Sequence, residues 1–235
     1  MGDFHQNGNI ATLHNLTNRP IEDLERDLID FSRHRPMGLV IPSLYSELAT
    51  PALENIVHEL ARVPYLNEIV IGLDRADEAE YRHALEFFGR LPQHHRVLWN
   101  DGPRLRAIDA KLQEKGLAPT EPGKGRNVWF CYGYSVATGR ASTVALHDAD
   151  IKTYKRDLLA RLIYPVANPG FSFHFSKGFY ALASSRYAAT LSKICAYPQT
   201  GDWKLACSAR CTGIIQPTGF VRSISRTPTI TSTRT

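Results

Sequence analysis

Two aspartates one residue apart, Asp148 and Asp150, follow directly on the apolar run Val144-Ala145-Leu146 and His147. A short apolar run of this kind reads as the end of a buried strand. Side chains two positions apart on an extended chain share a face. Two carboxylates on one face at a strand end make a hard-oxygen site suited to Mg²⁺ or Mn²⁺. The C-terminal ends of strands in an open α/β sheet are also where ligands collect. A plain acidic turn has the same spelling, so the other charged positions must supply context.

The first of these is Lys124, inside Glu121-Pro-Gly-Lys-Gly-Arg-Asn127. This Gly-rich basic turn precedes a helix predicted from Asn127 to Thr138. Unpaired N–H groups at a helix start can hold an anion, and Lys124 adds a mobile positive charge. Its other reading is a solvated turn residue. Asp74 closes a second apolar run, Glu68 to Leu73, and could bind a ligand or cap the next helix. Pro42-Ser-Leu-Tyr-Ser-Glu47 closes the first run, Met37 to Ile41, as a loop. The glycines of 123–125 fit neither the phosphate-loop pattern nor the dinucleotide fingerprint. Taken together, these positions describe a pocket for a nucleoside diphosphate with a divalent cation. Cys207 and Cys211 lack a second pair at zinc spacing, so a zinc site is not expected.

The elements that must carry these residues follow from periodicity. Helices are predicted over Pro20–Ser32, Pro51–Val63, Ala79–Gly89, Pro103–Lys115, Asn127–Thr138 and Lys155–Tyr164. Strands are predicted over Met37–Ile41, Glu68–Leu73, His95–Trp99, Ser142–His147 and Pro169–Ser176, the last with Phe171, Phe173 and Phe175 on one face. Strand and helix alternate, which predicts an α/β fold: a mostly parallel sheet with helices on both faces. In such a sheet the loops at 42–47, 74 and 147–150 open onto one rim.

Charge and composition divide the chain near residue 181. The 235 residues carry a net +5. Residues 182–235 hold seven Lys+Arg against the single acid Asp202, so residues 1–181 are left slightly negative. The basic tail lacks interleaved aromatics, and no nucleic-acid partner is expected. The same 182–235 segment has 16 Ser+Thr and no sustained period. It reads either as a disordered basic tail or as a frameshifted end that truncates the sheet. Truncation would expose the Phe171–Phe175 edge and favour a homodimer. Residues 1–17 read as a disordered N-terminus, and 18–181 as the ordered domain. No apolar run approaches a membrane span and no signal peptide is legible, so the expectation is a cytoplasmic protein.

The order of motifs resembles the GT-A glycosyltransferases. Within them it is similar to the glucosyl-3-phosphoglycerate and mannosyl-3-phosphoglycerate synthase family. The family's Pro-Ala-Leu-Asn-Glu-like loop corresponds to Pro42-Ser-Leu-Tyr-Ser-Glu47, one residue longer. Its Asp after the second strand corresponds to Asp74. Pro-Gly-Lys-Gly stands intact at 122–125, Asp-x-Asp at 148–150, and Lys-Gly-Phe-Tyr at 177–180. The resemblance implies a Rossmann-like GT-A fold whose C-terminal part is missing or disordered. It implies a metal-dependent, retaining hexosyltransferase, with a sugar-nucleotide donor and 3-phosphoglycerate or a related small phosphorylated acceptor. By resemblance, Pro42, Leu44 and Glu47 hold base and ribose. Asp74 contacts the base side and Lys124 the pyrophosphate. Asp148 reaches ribose or metal, and Asp150 the metal, Mg²⁺ or Mn²⁺. The family's acceptor-binding motifs and further metal-binding His find no counterpart in 182–235. Two other readings therefore stand beside it: an inactive fragment that keeps only nucleotide-sugar binding, and a sugar-phosphate nucleotidyltransferase.

Overall fold

The structure is a computed structural model and describes residues 10–13, 18–171, 173–177, 195–198 and 221–225. A four-stranded parallel block forms one half of its sheet: β2 (Met37–Leu44), β3 (Leu66–Asp74), β4 (His95–Trp99) and β5 (Thr143–Leu146). Their spatial order is β5-β2-β3-β4. The chain runs outward from β2 to β4, then returns to place β5 on the opposite side of β2. That reversal makes the C-terminal crevice between β2 and β5 the topological switch point, where doubly wound sheets bind ligands.

Helices cover both faces. On one, α1 (Ile21–Ser32), α2 (Pro51–Leu60), α3 (Glu78–Phe88) and α6 (Arg156–Ala167) pack Leu28, Leu53, Ile56, Phe88 and Ile163 against Leu39, Ile41, Ile69 and Ile71. On the other, α5 (Lys124–Thr138) sets Cys131 against Val40, Val70 and Val144. Burial on both faces explains the apolar runs Leu39–Ile41 in β2 and Ile69–Ile71 in β3, whereas the edge strand β4 buries only Val97. The helix starts are fixed by local chemistry. Thr50 Oγ1 accepts the Leu53 N–H at the head of α2, beside Pro51. Asp77 and Glu80 exchange bonds of 2.8 Å as a capping box on α3. Asp77, not Asp74, thus caps that helix, and Asp74 is left for other work. The amphipathic α4 (Pro103–Glu114) has no buried residue and lies at the periphery.

Several boundaries differ from expectation for identifiable reasons. Pro42 does not end β2; the strand continues to Leu44, and a 3₁₀ turn follows at Tyr45–Ala49. Proline is tolerated there because β5 pairs with β2 only from Met37 to Val40, which leaves that edge open beyond Val40. Helix α5 begins at Lys124, three residues early, because Gly123 takes φ +132° and supplies the sharp entry. Helix α6 runs past Tyr164 through Pro165 to Ala167.

Beyond the parallel block the sheet is antiparallel. Strand β6 (Phe173–Lys177) pairs with β7 (Cys195–Pro198) on one side and β8 (Val221–Ser225) on the other. β7 joins β5, and β1 (Ile10–Leu13) closes the far edge against β8. On the edge expected to lie open, Phe173 and Phe175 pair with β8, whereas β7 meets β6 only at Ser176 and Lys177. No strand was expected within 182–235, or within the N-terminal 17 residues. The two strands β7 and β8, and β1, are what the structure describes there. The Cys207/Cys211 pair and Gly178–Tyr180 lie outside the described residues.

Candidate functional site

Register brings the predicted positions to one rim. Leu44 pairs with Asp74 at the ends of β2 and β3, and Val40 pairs with Leu146 near the end of β5. His147 donates its N–H to the Val40 carbonyl at 3.0 Å, which carries the β5 extension along β2 as far as the first aspartate. The N-terminus of α5 sits over the same rim. Pro42 is buried and Leu44 half-buried there.

Asp148 and Asp150 do not share a strand face. The strand stops at Leu146 and the chain turns at Ala149–Asp150, so alternation no longer applies. Asp148 is 6% exposed and Asp150 lies in solvent. Lys124 Nζ donates to Asp148 Oδ1 in a salt bridge, spanning 24 residues. The lysine side chain is half-exposed and the aspartate buried, so the pair opens toward solvent.

His147 points away from them. Its Nδ1 lies 3.0 Å from the Tyr154 hydroxyl in the core beneath α6, and burial holds its pKa down to about 3. The ring is therefore neutral at physiological pH, and its Nε2 is buried without a hydrogen-bond partner among the described residues.

Glu47 has a local task. Its Oε2 accepts the Leu44 N–H at 2.8 Å, which folds the 3₁₀ turn back on the end of β2. The extra residue in this loop is absorbed by that turn.

Asp74 accepts a side-chain amide at each of its two oxygens. Asn100 Nδ2 donates to its Oδ1 at 2.6 Å, and Asn127 Nδ2 donates to its Oδ2 at 3.0 Å. Asn127 is 2% exposed and also donates to the Gly72 carbonyl at 2.9 Å, while its own Oδ1 accepts from Cys131 Sγ. Burial, with the Asp74 charge nearby, drives the Cys131 thiol well above its usual pKa, so it stays protonated. Two further features escaped the sequence reading. Arg75 adopts φ +56°, rare for a residue with a side chain, and Asp101 Oδ2 holds it by accepting the N–H groups of Arg75 (2.7 Å) and Ala76 (3.3 Å). Asn100 and Asn127 were legible only as polar residues beside a strand end and a glycine turn.

Among the described residues, no three His, Cys, Asp or Glu side chains converge into a preformed metal cage. A cation here would have at most the carboxylates of Asp148 and Asp150 from the rim, and its other ligands would be water or a bound diphosphate. That all-oxygen, open donor set fits Mg²⁺ or Mn²⁺, which keep waters and substrate phosphates in their shells. It does not fit zinc.

No family model matches the sequence. Among curated proteins, the chain is 43% identical over 194 residues to glucosyl-3-phosphoglycerate synthase of Persephonella marina, covering 83% of this chain and 48% of that protein. It is 38% identical over 180 residues to the enzyme of the same name from Methanococcoides burtonii, covering 76% of this chain and 44% of that protein. The chain thus spans about half the length of the curated relatives it matches. The 194-residue match is longer than the stretch before Leu182 and necessarily takes in part of 182–235. Among solved structures, glucosyl-3-phosphoglycerate synthase of Mycobacterium tuberculosis, in complex with Mn²⁺, UDP-glucose and phosphoglyceric acid, aligns at 16% identity and a TM-score of 0.47. That alignment covers 85% of this chain and 60% of that one. No helix among the described residues is long and apolar enough to cross a membrane.

Proposed function

The chain is homologous to the glucosyl-3-phosphoglycerate synthases over 194 of its residues, and on that footing we propose that its rim binds a sugar nucleotide for transfer of a hexose to 3-phosphoglycerate. The observation that carries this reading is the meeting of Lys124 and Asp148 at the switch point, one cation and one buried acid at the head of a helix. Pro42 and Leu44 form the apolar wall for the base, with Glu47 bracing the turn beside it. Asp74 faces the nucleoside, and Lys124 the diphosphate. Asp148 and Asp150 would hold a divalent cation, which would supply positive charge opposite the leaving diphosphate.

In the free protein Lys124 neutralises Asp148. An arriving diphosphate offers the ammonium a stronger anionic partner, which frees the Asp148 carboxylate to bind elsewhere on the rim. The N–H groups at the start of α5, opened by Gly123, face the same phosphates. The enzyme acts, on this reading, in the cytoplasm and without a nucleic-acid partner. The near-neutral charge of residues 1–181 supports the second part.

Titration calorimetry with UDP-glucose and GDP-mannose, with and without Mn²⁺, tests the proposal, followed by an assay for glucosyl transfer to 3-phosphoglycerate. Metal-dependent binding of a sugar nucleotide and transfer are expected. No binding of either donor rejects the reading. Binding without transfer favours the inactive fragment that the half-length match allows.

A further inference from the structure

The contacts around Asp74 say more than that it lies on the rim. Its carboxylate is held at both oxygens by side-chain amides from different elements. Asn100 follows the end of β4, and Asn127 lies in the first turn of α5. Each amide meets the carboxylate through its nitrogen, so both are donors and Asp74 is the acceptor throughout. Asn127 is itself fixed: buried, bonded to the Gly72 carbonyl, and pressed so closely on that glycine that a methyl group there would overlap its side chain. The Asn100 backbone N–H is likewise fixed on the Leu73 carbonyl at 3.0 Å.

From this arrangement we propose that Asn127 and Asn100 are positioning residues that clamp Asp74 as an oriented acceptor for an N–H or O–H donor of the nucleoside. The inference rests on the donor-binding reading above and deepens it. A carboxylate has about four acceptor positions, and the clamp occupies one on each oxygen. The remaining positions accept hydrogen bonds and repel phosphate oxygens. Asp74 therefore selects for the base or ribose end of a ligand, while Lys124, three residues from Asn127 on the same helix, selects for the diphosphate. Asn127 thereby links nucleoside recognition on β3 to phosphate recognition on α5.

The test compares UDP with inorganic pyrophosphate, each in the presence of Mn²⁺, binding to the full chain and to N127A, N100A, D74A and N127A/D74A. In the wild-type background N127A is expected to weaken UDP about 10-fold or more, in line with loss of a hydrogen bond to a charged group. Pyrophosphate affinity is expected to change less than 2-fold. In the D74A background N127A is expected to change UDP affinity less than 2-fold, since its effect passes through Asp74. N100A, on a separate element, follows the same pattern and keeps the test alive should N127A not fold. Equal weakening of UDP and pyrophosphate overturns the inference, because it means that α5 has simply shifted. Unchanged UDP affinity in N127A and N100A, with D74A impaired, overturns the clamp alone. Unchanged UDP affinity in D74A overturns the role of Asp74 and the clamp with it. A wild-type chain that binds no UDP overturns the donor-site reading on which both stand.

Discussion

A carboxylate drawn out of water needs a cation or several donors to be stable, and the rim satisfies the half-buried Asp74 and the buried Asp148 differently. Asp74 is served by neutral amides that stay in place. Asp148 is served by Lys124, whose flexible, half-exposed side chain can leave. The two arrangements suit a fixed recognition group and an exchangeable one. Replacing Lys124 should therefore act with opposite signs on two ligands. K124A is expected to weaken UDP by about 10-fold or more. It is also expected to tighten binding of Mn²⁺ alone, because nothing then competes for Asp148. Electron paramagnetic resonance titration of free Mn²⁺, with calorimetry for UDP, reads both. Of this site, Asp74, Lys124 and Asp148 could be read from the chain, because charged residues beside glycines and strand ends stand out against an apolar background. Asn127 and Asn100 could not, since an amide shows its worth only through partners brought together by folding. The bond from the Leu44 N–H to Glu47, which closes the turn after β2, was likewise not legible.

Helix α5 is the element that joins these groups. It runs antiparallel to β3 and touches it along one stripe: Asn127 over Gly72 and Asp74, Cys131 against the same strand, and Thr138 at Glu68 near the strand's beginning. The spacing of four, then seven, is that of one helix face. It sends the positive end of the helix to the rim and its C-terminus to the opposite edge. The stripe depends on Gly72, since a Cβ there would also lie 2.6 Å from Cys131 Sγ. G72A is expected to cost about 1–3 kcal/mol through overpacking. A lower urea midpoint would show it, accompanied by weaker UDP binding as Asn127 is pushed from its place. The helix was visible as a periodic segment, but its start was misplaced by three residues. The reason is Gly123, whose φ of +132° lets the helix begin directly at Lys124. Placing the lysine on the helix, not in a loop, brings it within reach of Asp148.

Across the molecule, the parallel block was legible because strands buried on both faces are spelled with continuous Val, Ile and Leu. Of the antiparallel part, β6 was legible from its alternating phenylalanines, and β7 and β8 were not. Cys195–Pro198 is four residues ending in proline, Val221–Ser225 is interspersed with Ser and Arg, and neither has a periodic neighbour. Their pairing depends on the edge already offered by β5 and β6, a non-local condition that composition does not encode. The candidate site draws on strands β2, β3 and β5 and on helix α5, so its ligand binds only when all of these are docked. UDP present at 100 times its dissociation constant is expected to raise the unfolding free energy by about 2.7 kcal/mol. Urea denaturation followed by Trp fluorescence, with Mn²⁺ in both samples, measures it. A midpoint unmoved by UDP would place the binding determinants outside the cooperative unit.

The pairing of β5 with β2 also sets a clock on synthesis. Ser142 donates to the carbonyl of Pro36, 106 residues upstream, where the last parallel strand meets the first. Until those later residues leave the ribosome, one edge of β2 has no neighbour, although its other edge is already paired with β3. A nascent chain therefore passes through a stage with an unpaired, apolar strand edge, the kind of surface on which chaperones act and aggregates begin. The crevice between β2 and β5 is thus among the last features of the parallel block to exist, and the ligand site is born late.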